Sequence, residues 1–150
     1  MAEPAQLVAA RKHLSRAESA FRSEDGLFHL EAGLALLEEV ALDSEERYRD
    51  MHRAIAANLL STYSTRICES IKKLVETDPG LPEPELEHLF KVLLAFDAGD
   101  LELPEYVRSL KIDVVKRLVD LYYEGHSAEE KQVVLDQLAG LSGRGQNWGQ

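Results

Sequence analysis

The segment YVRSLKIDVVKRLVDLYYE, residues 106–124, decides the fold. Projected at about 100° per residue, Ser109, Asp113, Lys116, Arg117, Asp120 and Glu124 share a single polar arc. Val107, Leu110, Val114, Leu118 and Leu121 form one apolar face, and Ile112, Val115, Val119 and Tyr122 form a second beside it. A helix apolar over so wide an arc must bury most of itself. Two arrangements satisfy it: a central helix with neighbours on both sides, or a helix whose second face is covered by a partner or a second copy. Arg108 and Lys111 border or interrupt that second face. Either their stems lie along the core edge with the charge in water, or they pair with carboxylates, from a partner or from this chain's residues 79–106. The candidate partner-binding residues are therefore Arg108, Lys111, Ile112, Val115, Val119 and Tyr122.

The flanking sequence is punctuated as helices throughout. Pro4 suits a first helical position, where its missing N–H is no loss, and Leu7, Ala10, Leu14, Ala17 and Phe21 follow at steps of three and four. Ser23–Gly26 is expected to turn the chain into a second helix along Leu27, Leu30, Leu34, Leu37 and Ala41, antiparallel to the first. Asp43 and Glu46 have the spacing of a capping box. From there no Gly or Pro intervenes before Thr77, which predicts one helix of about 33 residues. Its apolar positions turn from Tyr48, Met51, Ile55 and Leu59 to Leu60, Ile67, Ile71 and Val75, so it either changes neighbours or kinks near Ser61–Ser64. DPGLP at 78–82 stops it. A short helix over Glu83–Phe96, the helix after Pro104, and a last one capped by Ser127 and Glu130 complete an all-α, single-domain bundle of about six helices over residues 1–141, with a long central third helix. The glycine-rich tail, 142–150, is expected to be disordered, with Trp148 a docking residue or simply an unpacked one.

One alternative architecture has a local basis. IKKLVETDPGLPE, residues 71–83, resembles the closing helix and Asp-Pro turn of a tetratricopeptide repeat, and Leu7–Leu42 has the length of one helical pair. That resemblance implies a helical-hairpin array. The small and aromatic positions do not align together at the 34-residue period of such repeats.

The 150 residues carry 27 acidic and 17 basic side chains, a net charge of -10. Nucleic-acid and anionic-membrane surfaces need clustered cations, and Arg108, Lys111, Lys116 and Arg117 spread around their helix, so neither partner is expected. No apolar run reaches membrane-spanning length, and the first residues lack the layout of a secretory signal. With a lone cysteine, Cys68, a cytoplasmic protein without internal disulfides is expected. Residues 79–106 concentrate the charge, seven carboxylates against Lys91. Elsewhere acids sit near predicted helix starts, where they stabilise unpaired N–H groups, or four residues before a base, as in Glu18–Arg22 and Asp113–Arg117.

Chemistry-bearing patterns are sparse. Glu85-Leu-Glu-His88 has the Glu-x-x-His spacing of a helical-bundle metal site, but a di-iron centre needs two copies plus further glutamates, and the sequence has one. Glu85 and His88 remain the only metal-ligand candidates, and no cofactor is expected. Cys68, beside Ile67 and Ile71, reads as a buried thiol. Nucleotide-binding and nucleophile-elbow glycine motifs are absent. The function these features favour is a non-catalytic protein–protein interaction module, self-associating as a homodimer through the second face of helix 106–124. The alternatives are a metal-dependent helical-bundle enzyme at Glu85 and His88, and a small-molecule-binding bundle, which would require an apolar cavity between helices.

Overall fold

A computed structural model describes residues 4–43, 46–97, 99 and 101–141; the tail assigned to 142–150, with Trp148, lies outside them. The described residues form six helices and no strand: α1 (Ala5–Ser19), α2 (Glu24–Asp43), α3 (Arg49–Thr77), α4 (Glu83–Ala95), α5 (Glu105–Tyr122) and α6 (Ala128–Leu141), with a 3-10 turn at Glu46–Tyr48 before α3.

The α1 stripe is the expected one, with Leu7, Ala10, Leu14 and Ala17 buried. The turn that follows is earlier than its glycine suggests. α2 begins at Glu24, because the Ser23 hydroxyl accepts the Gly26 N–H at 3.1 Å and Glu24 and Asp25 fall in the positive first turn. Gly26 is needed for closeness rather than for turning: a Cβ there would stand 1.9 Å from the Ala20 carbonyl oxygen. At Gly33 a Cβ would come within 2.9 Å of the Leu14 side chain. Small residues on α2 thus let the α1–α2 pair close tightly.

The box expected from Asp43 and Glu46 depends on the Asp43 side chain and on residues 44 and 45, which lie outside the described residues. Asp43 ends α2, Glu46 starts the 3-10 turn, and the residue preceding α3, Tyr48, makes no side-chain cap bond. α3 then runs unbroken through Ser61–Ser64, where the Ser64 hydroxyl donates to its own helix at Leu60 O, 2.6 Å away. With no break, its shifting stripe reflects changing neighbours, and α3 packs against α1, α2 and α5. Its first half buries His52, Ala56 and Leu59, while Met51, expected inward, is 44% exposed. A helix continuous over 29 residues leaves no second hairpin at a 34-residue period, so the repeat-array alternative does not describe this chain.

Asp78 closes the next turn by accepting the Gly80 N–H at 3.2 Å. α4 turns Leu86, Leu89, Val92 and Leu93 inward, and the connection to α5 is itself anchored by buried Phe96, Asp97 and Leu103. α5 packs against α3, α4 and α6, with both of its apolar faces drawn into one core cluster shared by all six helices. After α5, Gly125 adopts φ +89°, a conformation other residues resist. Ser127 caps α6 as expected, its hydroxyl accepting the Glu130 N–H at 3.2 Å.

Candidate binding groove

α2 buries Leu30, Leu37 and Val40 and leaves its opposite side outside the core. There Phe28, Ala35 and Leu42 recur every seven residues, all exposed, with Phe28 at 65% and Leu42 at 64%. Glu31 and Glu38 fall three residues after the first two. Residues seven apart lie nearly in line on one side of a helix, with the positions three further on beside them. Beside this seam a groove of about 400 Å³ opens between α2, α3 and the α4–α5 connection. Leu34 and Leu37 of α2, Leu60 of α3 and Phe96 form its apolar floor; Ala95, Gly99 and Leu101 form the far wall. Its lining includes the two carboxylates Glu31 and Glu38 and, among the described residues, no cationic side chain.

Two side-chain interactions hold the far wall. Glu38 Oε1 accepts the Leu101 N–H at 2.8 Å, and a Cβ on Gly99 would stand 2.0 Å from that same oxygen, displacing the carboxylate. On the interior side Lys111 Nζ donates to the Asp97 carboxylate, with side chains 0% and 2% exposed. Burial of an ammonium and a carboxylate requires such mutual satisfaction. Cys68 belongs to the same interior: burial pushes its thiol up to about 12, with Lys111 opposing the shift and Asp97 adding to it.

The candidates singled out from sequence are not brought together as a surface. Val115 and Val119 are each 1% exposed; Ile112 and Tyr122 are half-buried against the core, and Arg108 is half-buried. The face assigned to a partner is covered by the chain's own helices, which is the central-helix arrangement. Lys111, likewise assigned to a partner, pairs within the chain to the acidic 79–106 segment. The Tyr122 hydroxyl lies 2.8 Å from Glu83 Oε1 and 2.7 Å from Glu87 Oε1. Hydrogen bonding to Glu87, then Glu83, holds its phenol proton above the ordinary range.

Glu85 and His88 are also occupied structurally. Arg22 Nε donates to Glu85 Oε1 at 2.6 Å, and His88 Nε2 lies 2.9 Å from the Phe21 carbonyl oxygen, to which it donates. Together they tie the start of α4 to the α1–α2 corner. Among the described residues no three His, Cys, Asp or Glu side chains are grouped to hold a metal ion. Arg22 thus reaches from the α1–α2 connection to α4, while Glu18 pairs with Arg66 at 3.5 Å and Arg117 with Glu76 at 3.7 Å, each on a different helix.

Elsewhere, His13 Nδ1 and His29 Nδ1 meet at 2.8 Å across the α1–α2 seam, with Asp25 Oδ1 3.6 Å from His29 Nε2. One Nδ1–H donates to the other ring's Nδ1. No described helix is long and apolar enough to cross a membrane. No protein-family model matches the sequence, and comparison with curated proteins and with solved structures returns no match. The groove was missed at the sequence level, although Phe28, Ala35 and Leu42 gave a signal: a second heptad series on α2, offset from its core stripe.

Proposed function

We propose that this chain is a non-catalytic protein-interaction module that receives a segment of a partner along the α2 groove. The observation that carries it is the exposed Phe28–Ala35–Leu42 seam flanking the groove. The seam runs about 21 Å along α2 at 1.5 Å per residue, longer than a small ligand spans. Exposed apolar residues in line with a concave apolar surface mark recognition sites. Self-association through α5 is not part of this reading, because Val115 and Val119 of that face are buried. A lone thiol sealed in the core fits a cytoplasmic setting.

A second reading, a small-molecule-binding bundle, is favoured by the volume of the groove, which lies within the range of ligand pockets. Affinity capture from lysate with the wild-type chain and with Ala35→Arg separates the two. Ala35 is exposed, so the substitution fills the groove mouth without touching the core. A protein retained by the wild type and lost with Ala35→Arg supports the module. An identical set retained by both overturns it.

A further inference from the structure

We infer that the groove takes an amphipathic helix of a protein partner bearing two basic residues seven positions apart, which meet Glu31 and Glu38; this rests on the groove's being a protein-docking site. On α2 the exposed apolar positions alternate with these carboxylates, Phe28, Glu31, Ala35, Glu38, Leu42. A helix laid alongside must therefore present apolar side chains to Phe28, Ala35 and Leu42, and cations between them. Glu31 and Glu38 are two turns apart, about 10 Å along the axis, which sets the seven-residue spacing of their counterparts. Glu38 is preorganised for this: one oxygen is fixed by the Leu101 N–H at 2.8 Å, and a carboxylate retains acceptor capacity beyond that bond. The far wall adds the same sign of charge, because its connection to α5 carries exposed Glu102. Among the described residues, no lining residue supplies a cation.

Charge also selects against a second copy as occupant. Two α2 seams facing each other would oppose Glu31 and Glu38 with carboxylates, in a chain already at net -10, and like charges across an interface suppress pairing. Small apolar ligands would leave both carboxylates at the rim unused.

The test is fluorescence anisotropy of the full chain with three 18-residue helical peptides sharing one apolar face, carrying Lys, Gln or Glu at two sites seven apart. The expected order of affinity is Lys, then Gln, then Glu. In Glu31→Gln/Glu38→Gln, which keeps the amide acceptor for Leu101, the Lys peptide should weaken by roughly 3- to 20-fold, as two partly exposed ion pairs allow. Its advantage should also shrink as salt rises. Equal binding of the Lys and Gln peptides, or an advantage surviving in the double variant, overturns the charge pairing while leaving the groove as a docking site. Absence of binding by all three, or binding unchanged by Ala35→Arg, removes the docking site itself and the inference with it.

Discussion

Lys111, in the interior of α5, donates to Asp97 just beyond the end of α4, and neither side chain reaches solvent. The pair fastens the α4–α5 connection from beneath while Glu38 fastens it from the groove side. Lys111→Met leaves a buried carboxylate without its ammonium and should cost about 3–5 kcal/mol. Lys111→Met with Asp97→Leu should recover much of that loss, because apolar replacement of a whole buried pair is often neutral. Urea unfolding of the two variants measures the difference.

Cys68 gives a pH dependence with a defined sign. Its thiol is ordinary in the unfolded chain, near 9.0, and pushed up to about 12 by burial in the fold. Between those values the unfolded chain has released the proton and the folded chain has kept it. This contribution to stability is complete below pH 9 and declines as pH rises toward 12. Denaturation midpoints across that window should fall for the wild type more steeply than for Cys68→Ala. Native protein should also resist thiol-specific reagents that label it rapidly in urea.

Glu38 separates acceptor from charge. Glu38→Ala removes the acceptor of the Leu101 N–H, and exchange of that amide should accelerate about tenfold or more. Glu38→Gln keeps a carbonyl oxygen in place and should leave the rate nearly unchanged. Hydrogen exchange read at Leu101 decides it.

Two glycines should respond to alanine for different reasons. Gly26→Ala adds a good helix former inside α2, yet should destabilise by about 1–3 kcal/mol through overpacking against the Ala20 carbonyl. Gly125→Ala meets no neighbour within 4 Å but should lose about 1 kcal/mol from its left-handed backbone. Thermal unfolding of both, against wild type, checks the contrast.

Val119 tests the placement of α5. Val119→Asp and Leu118→Asp both bury an uncompensated charge, and each should destabilise by about 3 kcal/mol or more. An interface position would instead convert a folded dimer to a folded monomer. Light scattering combined with circular dichroism distinguishes these outcomes; the expected one is a monomeric wild type and two poorly folded variants.

What could be read without coordinates follows from the range of each signal. The two faces of α5, the Ser127 cap and the DPGLP turn are local patterns, and the helices they announce are present. The start of α2 was misplaced because a glycine next to serine and acids looks like a breaker, whereas Gly26 answers a carbonyl six residues earlier. The inward side of α3 near His52 and Ala56 was equally out of reach, because neighbours and not propensity choose it. The pairing of Lys111 with the acidic segment was an open alternative until Asp97 proved to be its partner. One wall of the groove was legible in the Phe28–Leu42 spacing, but the floor at Leu60 and the wall at Leu101 meet only through tertiary packing.

The groove also has an order of assembly. α1 and α2 are joined by a short turn and can associate early, as local contacts do in folding. Leu60, and the wall residues Ala95, Gly99 and Leu101, come from later in the chain. A growing polypeptide ending before α4 displays the Phe28–Leu42 seam without the wall at Ala95, Gly99 and Leu101, so a groove occupant would wait for the completed fold. An occupant, once bound, would bridge segments some sixty residues apart in sequence, Ala35 and Ala95, and resist their separation. Occupancy should therefore raise the unfolding midpoint of the whole molecule in proportion to the logarithm of ligand concentration.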